Sequence, residues 1–350
     1  MTEKTINSGD RRNFAVPVAT VLSFERSEPR DESLAWLRER GIEIRFGRAE
    51  HDPQFKRYSE DDIIEAARDV DALMGASSAN ITRRVIEALP RLRYISKRGV
   101  GVDTIDVAAA TERGIVVTNT PEALGVIAVA EHAIALMLAL IKQLTFWTPE
   151  FVRKGGWRGG HFATMLDGST VGIIGYGRIG RAVAQRLAGW NVRVLAYDPY
   201  LADPVAGATL VDLPTLLSEA VVVTLHCETS ATNHHLIDRH ALELMKREAI
   251  LVNTGRGSLV DTDALRECLK GGGIAGAGLD VFELEPPDPA DDLFTLGNVV
   301  VTPHVAARTL RVFLDRHWHA ARNLWAMVSG EGHADIVNPE VRPRAARETV

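Results

Sequence analysis

Gly175, Gly177 and Gly180 lie in the run GYGRIG, between an apolar stretch from Val171 to Ile174 and a stretch of helical periodicity through Ala182, Val183 and Leu187. Strand, glycine-rich turn and helix in that order suit a dinucleotide. The first glycine permits the tight turn, the second lets a pyrophosphate approach the backbone, and the third lets the helix pack close to the strand. The helix N-terminus then offers N–H groups to phosphate. A second apolar run, Val192 to Tyr197, ends at Asp198, about 20 residues on, where a carboxylate accepts hydrogen bonds from an adenosine ribose. That carboxylate repels a 2′-phosphate, so NAD is expected rather than NADP. Glycines also populate ordinary turns; the flanking elements and Asp198 give the motif its weight.

Three more apolar runs end in unusual residues. Ala249 to Val252 leads into Asn253, Thr254, Gly255, Arg256 and Gly257; Ile274 to Leu279 leads into Asp280 and then Glu283, Leu284, Glu285 and Pro286; Val299 to Val301 leads into Thr302, Pro303 and His304. In a Rossmann-type sheet the ligand lies beyond the carboxyl ends of the strands. An arginine, a glutamate and a histidine therefore stand where the cofactor should lie. Each alone also fits a structural role: Arg256 in a surface ion pair, Glu285 as a loop carboxylate, His304 as a helix cap. Three together point to chemistry.

The elements that must position these groups alternate between strand and helix, as in parallel sheets covered on both faces. Strands are expected at Ala15 to Leu22, Ile42 to Phe46, Ala72 to Met74, Leu92 to Ser96 and Ile115 to Val117, before the dinucleotide motif begins. Helices between them run from Asp31 to Arg40, from a Ser59 cap through Arg68, and from a Thr82 cap to before Pro90. In ISKRGVGVDTID, Gly99 and Gly101 follow a strand and precede a helix; such a turn is either an anion-binding concavity or only a tight connection. Lys97 and Arg98 add charge nearby or are simply solvated. Ala123 to Leu140 is an almost continuous apolar helix, expected to cross between domains and to join a subunit interface, with Glu131 and His132 as structural hydrogen-bonding residues. After the motif, strands at Val221 to Leu225, Ala249 to Val252, Ile274 to Leu279 and Val299 to Val301 complete a second sheet. Asp261 is expected to cap a helix that ends at Lys270.

Composition excludes several classes. The 350 residues, 46% of them apolar, suffice for two soluble domains. A net charge of −6 gives no electrostatic reason to expect nucleic acid, and Arg83, Arg84, Arg91 and Arg93 read as a solvated face. Cys227 and Cys268 form no spaced framework, which suits a reducing compartment, and no metal-ligand spacing is visible. Residues 1 to 13 lack the apolar core of a signal peptide, and the longest apolar run, Ala133 to Ile141, is too short to span a bilayer. A cytoplasmic protein with no membrane partner is the expectation.

The motifs RGVGVDTID, NTP followed by VAEH, GYGRIGR, LVNTGRGSLVD, GLDVFELEP and VTPHVA, in this order, resemble the D-isomer-specific 2-hydroxyacid dehydrogenase family, from about Val16 to Pro339. The resemblance implies an α/β fold of two doubly wound parallel-sheet domains, a Rossmann-type NAD domain inserted into a discontinuous flavodoxin-like substrate domain. The expected boundaries are 14–119 with 307–339 for the substrate domain and 120–306 for the NAD domain, with flexible tails at 1–13 and 340–350. A helix from Val305 to about Ser329 would return to the first domain. NAD-dependent interconversion of a small 2-keto acid and its D-2-hydroxy acid is the implied activity. By motif, Arg256 would polarise the substrate's 2-oxygen and pair with its carboxylate, and His304 would be the general acid and base. Glu285 would raise the histidine's pKa and orient it, with Glu283 as a competitor. Ser77, Val100 and Gly101 would bind substrate. Arg178 and Ile179 would meet the pyrophosphate, Thr254 and Asp280 the nicotinamide side, and Cys227 would also face the cofactor. A homodimer is implied.

The chain departs from the family at His226, Cys227, Glu228, Thr229 and Ser230, where many relatives carry Pro-Leu-Thr, and the segment Glu122 to Ala130 is one residue longer. In the loop Gly75 to Asn80, Ala76 and Asn80 stand where phosphoglycerate dehydrogenases carry cations. This argues for an unphosphorylated acid of the glyoxylate or hydroxypyruvate type over 3-phosphoglycerate. The chain also ends too early for the extra regulatory domain of some of those enzymes. The rival from another class is a non-catalytic NAD-sensing corepressor-like protein.

Overall fold

The computed structural model describes residues 19–24, 31–47, 58–75, 79–121, 123–157, 162–202, 205–230 and 232–343. The chain divides into two compact units, Met1–Ala123 with Leu310–Val350, and Leu124–Thr309. These divisions fall four and three residues beyond the positions expected from the motifs.

The first unit contains β1 (Ala19–Ser23), α1 (Ser33–Arg38), β2 (Ile42–Phe46), α2 (Glu60–Ala66), β3 (Ala72–Gly75), α3 (Arg83–Ala88), β4 (Tyr94–Lys97), α4 (Val107–Glu112) and β5 (Val116–Thr118). Its sheet is wholly parallel, in the order β2-β1-β3-β4-β5. That order belongs to flavodoxin-like folds. Strands β1, β3, β4 and β5 are buried along their whole length, so they read as continuous apolar runs rather than alternating ones. Ser59 closes a capping box on α2 with Asp62, and Thr82 caps α3. Each such cap contributes about 1 kcal/mol. The start expected for β1, Ala15 to Val18, lies outside the described residues.

The second unit contains α5 (Ala123–Ile141), α6 (Pro149–Arg153), β6 (Thr170–Ile174), α7 (Arg178–Leu187), β7 (Arg193–Tyr197), β8 (Thr209–Leu210), α8 (Leu213–Glu219), β9 (Val222–Leu225), α9 (Arg239–Leu244), β10 (Ile250–Asn253), α10 (Thr262–Lys270), β11 (Gly276–Leu279) and β12 (Val299–Val301). The parallel sheet runs β12-β11-β10-β9-β6-β7-β8, so the order reverses between β6 and β9. Counted from β6, this is the Rossmann order with one strand added, and the reversal marks the ligand crevice. Asp261 caps α10.

Three expectations need correction. The final helix, α11 (Leu310–Ser329), begins five residues later than Val305 and packs in the first unit against α1 and β4. Lys97 and Arg98 are not solvated: they are 6% and 4% exposed. Arg83, Arg84 and Arg91, by contrast, are exposed as expected, and they pair there with Glu112, with Glu60 and Asp61, and with Asp71. Finally, the stretch Leu124–Ile141 is long and apolar enough to cross a bilayer, with mean hydropathy 2.3, although Glu131 and His132 interrupt its run. Its inner face, including Ala133, Leu136, Met137 and Leu140, packs into the core against β6 and β10. Glu131 lies 3.6 Å from Arg186, and the His132 ring bonds the Thr302 hydroxyl at 2.9 Å.

Candidate active site

The turn between β6 and α7 is shaped by two glycines for different reasons. Gly175 has φ of 86°, which favours a residue without Cβ. A Cβ on Gly180 would stand 2.2 Å from the carbonyl oxygen of Gly175. By contrast, a Cβ on Gly177 would meet no protein atom within 4 Å. Gly177 is also the N-cap of α7 and gives it no side-chain cap. An open concavity therefore faces helix N–H groups and the positive end of the helix, which fits a pyrophosphate. Arg178 is exposed and Ile179 half-buried at its rim. Asp198 stands at the end of β7 with one carboxylate oxygen accepting from the Tyr176 amide and the other from the Tyr200 amide, both at 3.0 Å. Among the described residues, no guanidinium or ammonium is a hydrogen-bond partner of Asp198.

Across the reversal, the segment after β9 packs tightly on this turn: a Cβ on Gly175 would lie 2.8 Å from Cys227 Cβ. Burial drives the Cys227 thiol up to about 11 and the His226 imidazole down to about 3. Cys227 is thus a neutral packing surface rather than a nucleophile. His226, neutral, bonds the hydroxyls of Thr224 at 2.9 Å and Thr254 at 3.2 Å. Thr254 is thereby fixed in place by the strand next door.

His304, Glu285 and Arg256 are all in the second unit. The His304 ring bonds Glu285 through Nδ1 at 2.7 Å, which leaves Nε2 to face outward, and the side chain is 57% exposed. The Glu285 hydrogen bond raises the imidazole above its ordinary pKa, helped by that carboxylate's charge and by Asp280, and opposed by burial and by Arg256. Glu283, the competitor, turns instead to His235, at 2.8 Å. The guanidinium of Arg256 donates to the Gly255 carbonyl at 2.9 Å and pairs with Glu228 at 2.8 Å. The ion-pair role open to Arg256 from its sequence is therefore real, with Glu228 as a partner.

Asp280 is 1% exposed and both its oxygens are engaged by protein. One accepts from the Thr302 hydroxyl at 2.6 Å and the Val305 amide at 2.9 Å, the other from the Ala306 amide at 3.0 Å. The His304 amide donates to the Asp280 carbonyl at 2.7 Å. Asp280, assigned by motif to the nicotinamide side, also clamps the segment that carries His304, which sits at φ of 54°. No sequence signal pointed to this clamp, because its partners lie more than 20 positions away.

In the first unit, Gly99 adopts φ of 97°, its amide donates to the Thr120 hydroxyl at 2.6 Å, and the Val100 carbonyl accepts from Asn119 at 2.7 Å. Val100 is 43% exposed. The amides of Val100 and Gly101 have no acceptor among the described residues. Two consecutive free N–H groups form the kind of concavity that takes a carboxylate. Ser77 and Ala76 lie outside the described residues.

Known proteins agree with this architecture. Residues 134–306 match the family model for the D-isomer specific 2-hydroxyacid dehydrogenase NAD binding domain. A glyoxylate reductase from Pyrococcus furiosus is 43% identical over 290 residues, covering 80% of this chain and 85% of its own length. A D-3-phosphoglycerate dehydrogenase from Archaeoglobus fulgidus is 38% identical over 318 residues, but the chain spans only 58% of its length. Among solved structures, the TT0316 protein from Thermus thermophilus has a TM-score of 0.82 at 35% identity, covering 91% of this chain and 99% of that one. An NADPH-dependent glyoxylate/hydroxypyruvate reductase from Sinorhizobium meliloti has a TM-score of 0.75 at 31% identity, with 92% and 99% covered. The chain belongs to the D-isomer-specific 2-hydroxyacid dehydrogenases, oxidoreductases that interconvert 2-keto and 2-hydroxy acids with a nicotinamide dinucleotide.

Proposed function

We propose that this enzyme reduces a small unphosphorylated 2-keto acid of the glyoxylate or hydroxypyruvate class to its D-2-hydroxy acid, with NADH preferred over NADPH. The His304–Glu285 hydrogen bond carries the reading. When bound, the nicotinamide supplies the hydride that reaches substrate C2. His304, held protonated by Glu285, gives its proton to the 2-oxygen in reduction and takes it back in oxidation. Arg256 polarises that oxygen and pairs with the carboxylate, a task suited to a planar guanidinium. In the first unit, the consecutive Val100 and Gly101 amides offer a carboxylate site of their own. Glu228 already occupies part of the Arg256 fork, so an anionic substrate competes with it.

The preference for NADH rests on Asp198, whose charge faces the turn with no basic residue among its described hydrogen-bond partners. Relatives named for glyoxylate reduction support the substrate class. Dimerisation is supported by exposed apolar side chains following α5, among them Leu144, Trp157, Phe162 and Met165. A cytoplasmic setting is supported by the two unpaired cysteines.

His304→Ala is the direct test of the roles. Turnover of the best 2-keto acid should fall by about 10² to 10⁴, the usual contribution of a positioned acid and base. A variant that keeps most of its turnover would show that the proton moves elsewhere.

A further inference from the structure

We propose that His234, His235 and Glu283 form a binding site for a divalent transition metal, with Zn²⁺ the best-fitting ion. Their ligand atoms all lie within 4.8 Å of one another, the one such set of three among the described residues. Glu283 Oε1 is 2.8 Å from His235 Nε2 and 3.7 Å from His234 Nε2. In a tetrahedral zinc site with bonds of about 2.0 to 2.2 Å, ligand atoms stand roughly 3.3 to 3.5 Å apart, so the observed separations bracket what the ion needs. Small side-chain rotations complete the geometry, and the cluster's exposure leaves a fourth position to water. Two imidazoles and one carboxylate favour Zn²⁺ and its transition-metal neighbours over Mg²⁺ or Ca²⁺, which require mostly oxygen ligands.

The backbone explains how adjacent histidines come to face one ligand. Neighbouring side chains in extended chain point to opposite sides. His235 instead adopts φ of 51°, and its amide donates to the Ser258 carbonyl at 2.8 Å. The two rings then lie with centroids 4.0 Å apart and planes inclined by 31°. A non-glycine residue in the left-handed region costs about 1 to 2 kcal/mol, so the surrounding contacts must hold it there. The ion would join two segments, the turn before Ile237 and the loop after β11, and both lie against the turn after Arg256. That turn and the loop already touch closely, since a Cβ on Gly257 would lie 1.9 Å from the Phe282 carbonyl carbon. Glu283 is two positions before Glu285, so an occupied site stiffens the loop that holds the partner of His304. His234 and His235 stand about fifty positions before Glu283, which is why no ligand spacing is visible in the sequence.

The test is titration calorimetry of the untagged, chelator-treated full chain with Zn²⁺, repeated with Mg²⁺, for the wild type, His234→Ala and Glu283→Gln. The expected result is one equivalent of Zn²⁺ bound, at least tenfold more weakly by either variant, with no comparable heat from Mg²⁺. Co²⁺ should give the visible absorption of a low-symmetry tetrahedral site in the wild type and lose it in His234→Ala. His234→Ala removes an exposed side chain outside the proposed catalytic set, so its metal-free turnover and melting temperature should match the wild type. Equal Zn²⁺ affinity in the wild type and His234→Ala would place the ion elsewhere and overturn the proposal. So would the absence of Zn²⁺ binding, or Mg²⁺ binding of equal strength at the same residues.

Discussion

At the scale of single residues, the account turns on where one proton sits. Glu285 raises the His304 pKa above its ordinary value, so the ring stays protonated to higher pH than an isolated imidazole. Keto-acid reduction needs the protonated form: kcat/KM should be level at lower pH and decline as pH rises through the His304 pKa. Oxidation of the hydroxy acid should show the opposite limb. Glu285→Gln keeps an acceptor but removes the charge, and should move both inflections to lower pH. Profiles that do not move would separate Glu285 from the histidine's titration. Much of this site was legible from residue types at strand ends, and its limits are physical. GLDVFELEP contains two glutamates that both reach histidines, and only folding shows that Glu283 takes His235 while Glu285 takes His304. Lys97 and Arg98 look solvated because charge usually is, yet the last residue of β4 and the one after it are both buried.

Among the elements, α1 and α11 meet far apart in sequence and are joined by one buried pair. Asp31, just before α1, bonds the His317 ring on α11 and the Ser33 amide, the latter at 2.9 Å. Burial alone would raise the Asp31 carboxyl, but the His317 and Ser33 hydrogen bonds and the His317 charge outweigh it and hold the pKa below the ordinary value. A depressed carboxyl contributes stability that is present above its unfolded pKa and is lost as pH falls through the folded one. Asp31→Ala should destabilise the fold by about 3 kcal/mol, because it leaves a buried polar partner uncompensated. A denaturation midpoint corresponding to less than about 1 kcal/mol would show that the helices dock by apolar contact alone. Sequence periodicity found the long or wholly apolar elements, since a parallel sheet covered on both faces imposes continuous apolar runs. It missed α6 and β8, of five and two residues, which are too short to show a period. The family resemblance began α11 too early, because Asp280 captures the Val305 and Ala306 amides and holds them out of the helix.

For the whole molecule, the inserted second unit carries the dinucleotide turn and all three ionisable residues of the proposed chemistry. Phe162 is 93% exposed and Trp157 76%, an unusual amount of aromatic surface to leave in water. Sedimentation should therefore show a dimer at micromolar concentration, and a stable monomer there would contradict that assembly. The central claim concerns substrate and cofactor together, and steady-state kinetics test it most directly. We would compare kcat/KM for glyoxylate, hydroxypyruvate and 3-phosphohydroxypyruvate, each with NADH and with NADPH. The account predicts that an unphosphorylated acid wins with NADH, by at least tenfold over NADPH, which corresponds to about 1.4 kcal/mol. A tenfold advantage for the phosphorylated acid, or equal use of the two cofactors, would contradict it.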